Sequence, residues 1–170
     1  MPNTSFLLRL VKIISVAAVG IMASLIVIGN ITDYSTNYLF VEHVLKMDTI
    51  FPESHVQYRS IHNTAIYQAA YVFIILLETV MAFCCLKGSW KMLRNLNKDA
   101  VVFHASKNWA VAGITTGILI WFLGFEVIGG EWFDMWQSAT WNGLGAAERV
   151  LSFLCFVLIL LHLREGEGES

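Results

Sequence analysis

Four long apolar segments constrain the fold of this chain more than any other feature of its sequence. They cover residues 6–31, 67–86, 109–128 and 146–163. Each is long enough for an α-helix to cross a hydrocarbon core, which takes about 17–25 residues. The composition, 56% hydrophobic and 14% charged, is also that of a membrane protein rather than a soluble domain. The sequence therefore predicts one domain over residues 1–170, an all-α integral membrane protein with four transmembrane helices.

The first apolar segment has a second interpretation, that of a signal peptide. Its uninterrupted part, Ile13 to Ile28, exceeds the apolar core of about 7–15 residues that signal peptides carry, and no clear Ala-x-Ala-like cleavage site follows it. We therefore expect an uncleaved first transmembrane helix. Gly20 and Ser24 form a small-xxx-small pair within it, which would allow a neighbouring helix to approach closely.

Basic residues are concentrated between the second and third apolar segments. This stretch contains one acidic residue, Asp99, and the basic residues Lys87, Lys91, Arg94, Lys98 and Lys107. Since cytoplasmic connections carry an excess of lysine and arginine, the second connection is predicted to be cytoplasmic. With four helices, both termini then lie in the cytoplasm, including the acidic tail at 165–170. The first and third connections lie outside and are expected to form an outer cap.

The first connection, at residues 32–66, is too long to lack structure in a compact protein. Its residues 37–47 have helical periodicity with one apolar face, formed by Phe40, Val44 and Met47. The Phe-Pro-Glu-Ser sequence at 51–54 is expected to break this amphipathic helix and to start another. This additional helix would carry His55, Arg59 and His62 on one side.

Glu78 stands near the middle of the second apolar segment. At the helical rise of about 1.5 Å per residue it lies about 16 Å from Tyr67, close to the bilayer midplane. An ionised carboxylate there costs at least ~2.5 kcal/mol. Glu78 is therefore protonated, lines a wet cavity, or accepts hydrogen bonds from hydroxyl groups. Thr115 and Thr116 fall at a matching depth, so these three residues are the predicted intramembrane polar site, either functional or a clamp between helices.

The third connection is unusually rich in tryptophan. Gly129 and Gly130 are expected to end the third helix, and a short helix over 131–140 would then place Trp132 and Trp136 at i, i+4 spacing. An interfacial anchor explains the tryptophans but not the amides between them, which indicate a folded cap or a recognition surface. The predicted site for a partner or ligand comprises Glu126, Trp132, Trp136, Gln137, Trp141, Asn142 and Arg149.

Two charged residues flank this connection. Glu126 and Arg149 each fall about 3–5 Å inside the predicted outer boundary, at the helical rise per residue. Arg149 could therefore pair with Glu126 or extend to the surface. Glu148 is adjacent to Arg149 and points in another direction on a helix, which makes it a poor partner for that arginine.

The tryptophan-rich residues also carry a resemblance. EWFDMWQS at 131–138, followed by TWNG at 140–143, resembles the signature of a bacterial family of predicted small integral membrane proteins, domain of unknown function 2165. Further positions with similar residues in that family are Glu78, Gly88 and Trp90. The sequence after the Asn-Gly pair, LGAAER at 144–149, departs from the family pattern. The resemblance implies four transmembrane helices in a bacterial inner membrane and carries no particular activity.

Two functions fit a chain of this kind. The first is a non-enzymatic accessory or structural subunit, or a homo-oligomer, that associates through the outer cap or through the GxxxG pair Gly113 and Gly117. The second is a small proton or cation transporter or channel that uses Glu78. Hydrolase, metalloprotease and phosphate-loop motifs do not occur in the sequence. The net charge of −2 gives no reason to expect nucleic acid as a partner.

A third function is that of a metal or haem protein. Weak candidates for an outer metal site are His43, Met47, His55 and His62, and a haem could lie between His104 and His162. Their spacings match no closed motif, so no cofactor is expected. The cysteines Cys84, Cys85 and Cys155 all lie in apolar segments without a CxxC pair, which indicates packing rather than redox chemistry.

Overall fold

A computed structural model describes residues 4–164 of the chain, so the acidic tail at 165–170 lies outside the described residues. Every regular element within this range is helical, which confirms the all-α prediction. The helices are α1 (Thr4–Thr32), α2 (Tyr34–Lys46), α3 (Thr64–Arg94), α4 (Ala100–Ala105), α5 (Asn108–Ile118, continued as a π-helix over Leu119–Trp132) and α6 (Leu144–His162). Short 3₁₀ turns occur at Gln57–Arg59 and Met135–Gln137.

Four helical stretches are long and apolar enough to cross a membrane, as the sequence predicts. They are Thr4–Thr32, Thr64–Arg94, Ala100–Trp132 and Leu144–His162. The second is longer than expected at both ends. Its start is fixed by Asn63, whose side chain accepts a hydrogen bond of 2.9 Å from the backbone nitrogen of Ala65, as helix N-cap residues do. Its end includes polar residues that hydropathy alone assigns to a connection.

The spanning helices run antiparallel to their neighbours. Gly20 of α1 packs against Leu86 of α3, whereas Asn30 of α1 reaches Glu78 of α3. Between α3 and α5, and between α5 and α6, later residues of one helix likewise contact earlier residues of the other. The bundle therefore has two different ends. We call the end with the first and third connections the connection end, and the end with the second connection, the start of α1 and the end of α6 the terminal end.

Glycines set the distance between helices in the middle of the bundle. A Cβ atom on Gly88 would lie 2.4 Å from the backbone nitrogen of Ala110, and one on Gly113 would lie 2.8 Å from that of Cys85. Gly117 is similarly enclosed by Met81 and by α6. The GxxxG pair is thus buried inside the chain, because it admits α3 and α6 to α5. Our expectation that its face binds a partner is wrong.

The third spanning helix changes geometry in its second half. From Leu119 to Trp132 it is π-helical, and its last bond joins the backbone nitrogen of Phe133 to the carbonyl of Ile128 at 3.1 Å. Gly129 and Gly130 are buried inside this helix and do not end it, contrary to our prediction. The predicted helix over 131–140 is also absent, because the spanning helix continues to Trp132. A π-helix of this length is rare, since most form a single turn.

The first connection folds as predicted at its start and differently after that. Helix α2 ends at Met47, whose positive φ of 53° turns the chain back. The backbone nitrogen of Ile61 then donates to the carbonyl of Leu45 at 2.9 Å, and the Tyr67 hydroxyl donates to the carbonyl of Ile61 at 2.6 Å. Residues 51–63 therefore form turns along α2, and the helix that we predicted there does not exist.

At the terminal end, buried cations bind backbone carbonyls. Lys12 of α1, with 0% of its surface exposed, donates to the carbonyl of Leu163. Lys107, with 3% exposed, donates to the carbonyl of Leu161 at 3.0 Å. The last carbonyls of a helix have no partner within the helix and carry a partial negative charge. One lysine on α1 and one between α4 and α5 thus hold the end of α6.

Candidate functional site

Glu78 is the most buried acidic side chain within residues 4–164, with 4% of its surface exposed. Its carboxylate accepts a hydrogen bond of 2.7 Å from the side-chain amide of Asn30, which lies two residues before the end of α1. The predicted partners are wrong. Thr115 is exposed, and the Thr116 hydroxyl donates to the carbonyl of Ala112 in its own helix at 2.9 Å.

Polar contacts continue from Asn30 towards the connection end. The backbone carbonyl of Asn30 accepts a hydrogen bond of 3.0 Å from the Tyr71 hydroxyl. The Tyr71 ring meets Tyr34 of α2 edge-on, with 4.7 Å between ring centroids, and the Tyr34 hydroxyl accepts a hydrogen bond from Gln68. Seven residues of α3, or about 10 Å, separate Glu78 from Tyr71. The buried carboxyl group is therefore linked to the connection end through Asn30 and Tyr71.

Towards the terminal end, the surroundings of Glu78 are apolar. The next turns of α3 contribute Met81, Ala82 and Cys85, and α5 contributes Ile114, all of them part of the main hydrophobic core. A proton or ion that reached Glu78 from the connection end would meet this core beyond it. The polar route is therefore one-sided, a property that the position of Glu78 in the sequence does not reveal.

The first and third connections are joined by directed hydrogen bonds. The Thr49 and Ser138 hydroxyl oxygens are 2.7 Å apart. The backbone nitrogen of Phe51 donates to Oε1 of Gln137 at 2.9 Å. Arg59 donates to the backbone carbonyl of Trp132 at 3.2 Å. These bonds connect segments that are more than 70 residues apart in sequence, so they form only in the folded protein.

This framework carries exposed aromatic rings, which with Arg59 we call the aromatic platform. The rings of Phe51, Tyr58, Trp132 and Trp136 are between 51% and 78% exposed. Arg59 lies over the Trp132 ring, with Cζ at 4.7 Å from the centroid, and at 5.7 Å from that of Tyr58. Phe51 meets Trp136 edge-on at 5.9 Å. The platform thus brings Trp132 and Trp136, both predicted, together with three residues that sequence reasoning did not select.

The two amides support this surface from within. Gln137 accepts from Phe51, as above, and its Nε2 donates to Asp134 at 2.9 Å. Asn142 accepts from the backbone nitrogen of Leu144 at 3.1 Å, at the start of α6. Both amides therefore make hydrogen bonds within the chain. These hydrogen bonds fix the path of the third connection.

Trp141 differs from the other tryptophans of the connection because it packs inwards. Its ring stacks on His43 of α2 at 4.5 Å with 6° between the planes. Nδ1 of that histidine lies 2.8 Å from the carboxylate of Asp48, and His62 pairs with Ser60 at 3.1 Å. Within residues 4–164, no three His, Cys, Asp or Glu side chains are grouped so as to hold a metal ion. The weak candidates for an outer metal site are therefore not grouped into one in this range.

Glu126 and Arg149 do not pair. No ion pair joins them in the part of the chain that the structure describes. Helix α6 directs Ala147, Leu154 and Leu161 into the core, at the seven-residue spacing of one helix face. Arg149 follows Ala147 by two residues and is therefore exposed on another side of α6. Similar depth in the membrane does not place two side chains on facing surfaces.

His104 and His162, between which a haem was considered although no cofactor is expected, share a location. Both line a cavity of about 250 Å³ at the terminal end. This volume is below the range of roughly 300–1,000 Å³ that holds drug-sized ligands, so the cavity does not accommodate a haem.

Comparison with known proteins agrees with the resemblance in the sequence. The family model described as predicted small integral membrane protein, domain of unknown function 2165, matches residues 8–164. The chain belongs to this family. No curated protein and no solved structure matches the chain.

Proposed function

We propose that this family member is a non-enzymatic accessory protein of a bacterial inner membrane, which binds another membrane protein or a second copy of itself through the aromatic platform. The observation that carries the proposal is the platform itself. Four aromatic rings, each at least half exposed, lie on two segments that are distant in sequence and joined by hydrogen bonds.

The orientation follows from charge. The terminal end carries the basic second connection, together with Arg9 and Lys12 near the start of the chain. Cytoplasmic segments carry such an excess of lysine and arginine. We infer that both termini are cytoplasmic and that the two connections form an outer cap, with the platform on the non-cytoplasmic side.

A simple interfacial anchor would not require this construction. Tryptophan adsorbs at the membrane surface through its own amphipathic ring, without bonds such as those from Phe51 to Gln137 and from Arg59 to Trp132. Ordered Trp, Tyr and Arg side chains are, in contrast, the types that dominate binding energy in protein interfaces. Rings that are fixed before association also lose less conformational freedom when a partner binds.

The full chain is extracted from its native membrane in polymer nanodiscs. Native mass spectrometry then measures the mass of the protein assemblies that they contain. We expect the protein in each wild-type particle to have a mass greater than that of one chain, 19.1 kDa. Integer multiples indicate self-association, and other masses indicate a partner. Trp136→Ala should reduce the heavy species roughly thirtyfold, the effect of a hot-spot residue that contributes about 2 kcal/mol.

The matched control is Phe156→Ala, which removes another exposed ring, 71% exposed, from α6. This variant should keep the heavy species. Wild-type particles that contain one chain and lipid alone would contradict the proposal. So would heavy particles that survive the simultaneous replacement of Trp132 and Trp136 by alanine.

A second candidate function is proton or cation transfer through Glu78. The chain of contacts from Glu78 through Asn30 to Tyr71 favours it. The apolar core beyond Glu78 means that one chain supplies half of a path, so transport would require association with another chain. Glu78→Gln should then abolish proton flux into liposomes, and unchanged flux would exclude this function.

A further inference from the structure

The cavity at the terminal end is lined by basic and donor groups. It lies between the junction of α4 with α5 and the end of α6, and its lining residues are His104, Lys107, Asn108, Val111, Leu161 and His162. Four of these six side chains can donate hydrogen bonds, and no acidic residue is among them. The other two, Val111 and Leu161, form an apolar wall on facing helices.

The donors are positioned by the ends of two helices. Lys107 is held by the carbonyl of Leu161 at 3.0 Å and lies 3.5 Å from Nδ1 of His104. Nδ1 of His162 lies 2.8 Å from the carbonyl of Leu158. Asn108 is the first residue of α5, where backbone N–H groups and the helix dipole favour an anion. A cation, a helix start and two imidazoles thus surround one small space.

We propose that this cavity binds a phosphate group, and specifically the headgroup phosphate of an anionic phospholipid. Basic pockets between transmembrane helices at the end facing the cytoplasm are suited to such headgroups. The location favours a lipid over free phosphate, because α5 and α6 both belong to candidate membrane spans and the partly exposed Val111 offers an apolar surface to the adjoining acyl chains. The proposal is independent of the aromatic platform, which lies at the opposite end.

The test uses the purified full chain in detergent and native mass spectrometry with added lipid. Phosphatidylglycerol and phosphatidylcholine with the same acyl chains are the probes, and inorganic phosphate is the competitor. We expect phosphatidylglycerol to remain bound at roughly tenfold lower lipid concentration than phosphatidylcholine. The double variant His104→Gln, His162→Gln should lose this difference, since a hydrogen bond to a charged group corresponds to about tenfold in affinity or more.

Lys98→Gln is the matched control, because it removes an exposed positive charge from the same end outside the cavity. It should retain the preference for phosphatidylglycerol. Near-ultraviolet circular dichroism shows whether the double variant keeps its fold, and Asn108→Ala offers a second, milder change that should also weaken the preference.

Three results would overturn the proposal. One is equal retention of the two lipids by the wild-type protein, and another is an unchanged preference in both folded cavity variants. The third is binding of inorganic phosphate without any preference for phosphatidylglycerol, which would assign the site to free phosphate rather than to a lipid.

Discussion

The two ends of this bundle satisfy their backbone groups in different ways. At the terminal end, Lys12 and Lys107 are buried and donate to carbonyls at the end of α6, so charge stabilises the helix end. At the connection end, hydrogen bonds between two folded connections, one of them donated by Arg59, join segments that are distant in sequence, and aromatic rings remain exposed. The comparison shows that an ordered surface with exposed rings forms at the end where the connections are long and bond to each other.

The largest expected effect comes from the glycine packing that both ends depend on. Gly88→Leu should destabilise the protein by more than about 3 kcal/mol, because the new leucine side chain would overlap the backbone of α5 at Ala110. Thermal unfolding followed by fluorescence-detected size exclusion measures the change. Gly29→Ala is the control, since nothing lies within 4 Å of a Cβ atom there. Equal midpoints for the two variants would contradict the close packing.

The charged stabilisation of the terminal end can be removed at Lys12. Lys12→Met preserves apolar volume and leaves the Leu163 carbonyl without this donor, so it should lower the free energy of unfolding by up to about 3 kcal/mol. Chemical denaturation in detergent gives the value. Lys98→Met, at an exposed position of the same end, should be nearly neutral. A stabilised Lys12→Met protein would show that the buried ammonium costs more than its bonds return.

The pair of Asn30 and Glu78, which is linked to the connection end through Tyr71, separates charge from hydrogen bonding. Asn30→Leu leaves the buried carboxyl without the amide and should lower stability by about 1–2 kcal/mol. Glu78→Gln keeps an acceptor for Asn30 and should cost less than about 1 kcal/mol. The same denaturation assay compares the two variants. A larger loss for Glu78→Gln than for Asn30→Leu would mean that the charge itself, rather than the bond, holds α1 to α3.

A small effect on stability is expected at the platform. Trp136→Ala removes a ring that is 51% exposed and meets Phe51 edge-on, so the free energy of unfolding should fall by about 1 kcal/mol, while partner binding is lost. Parallel measurements of stability and particle mass test this combination. A large loss of stability would assign the ring to internal packing and weaken the contrast between the two ends.

The sequence predicted the parts of the fold that depend on local composition. Apolar length located the four spans, and helical periodicity located α2, because both properties can be counted along the chain. It failed where the outcome depends on a facing helix. The GxxxG pair is buried by α3 and α6, and Glu78 takes Asn30 as its partner instead of the threonines at a similar depth. A single asparagine near the end of an apolar segment was the available signal for that partner.

The aromatic platform shows the same division within one site. The number of tryptophans and their interfacial character follow from the sequence, and so does the family to which the chain belongs. Which rings are exposed was decided by the tertiary structure, because Trp141 stacks on His43 whereas Trp136 faces outwards beside Phe51. Residue types and spacing fix what a segment can bury in a membrane. The choice of partners depends on the azimuth and register of helices that are distant in sequence, and only packing determines these.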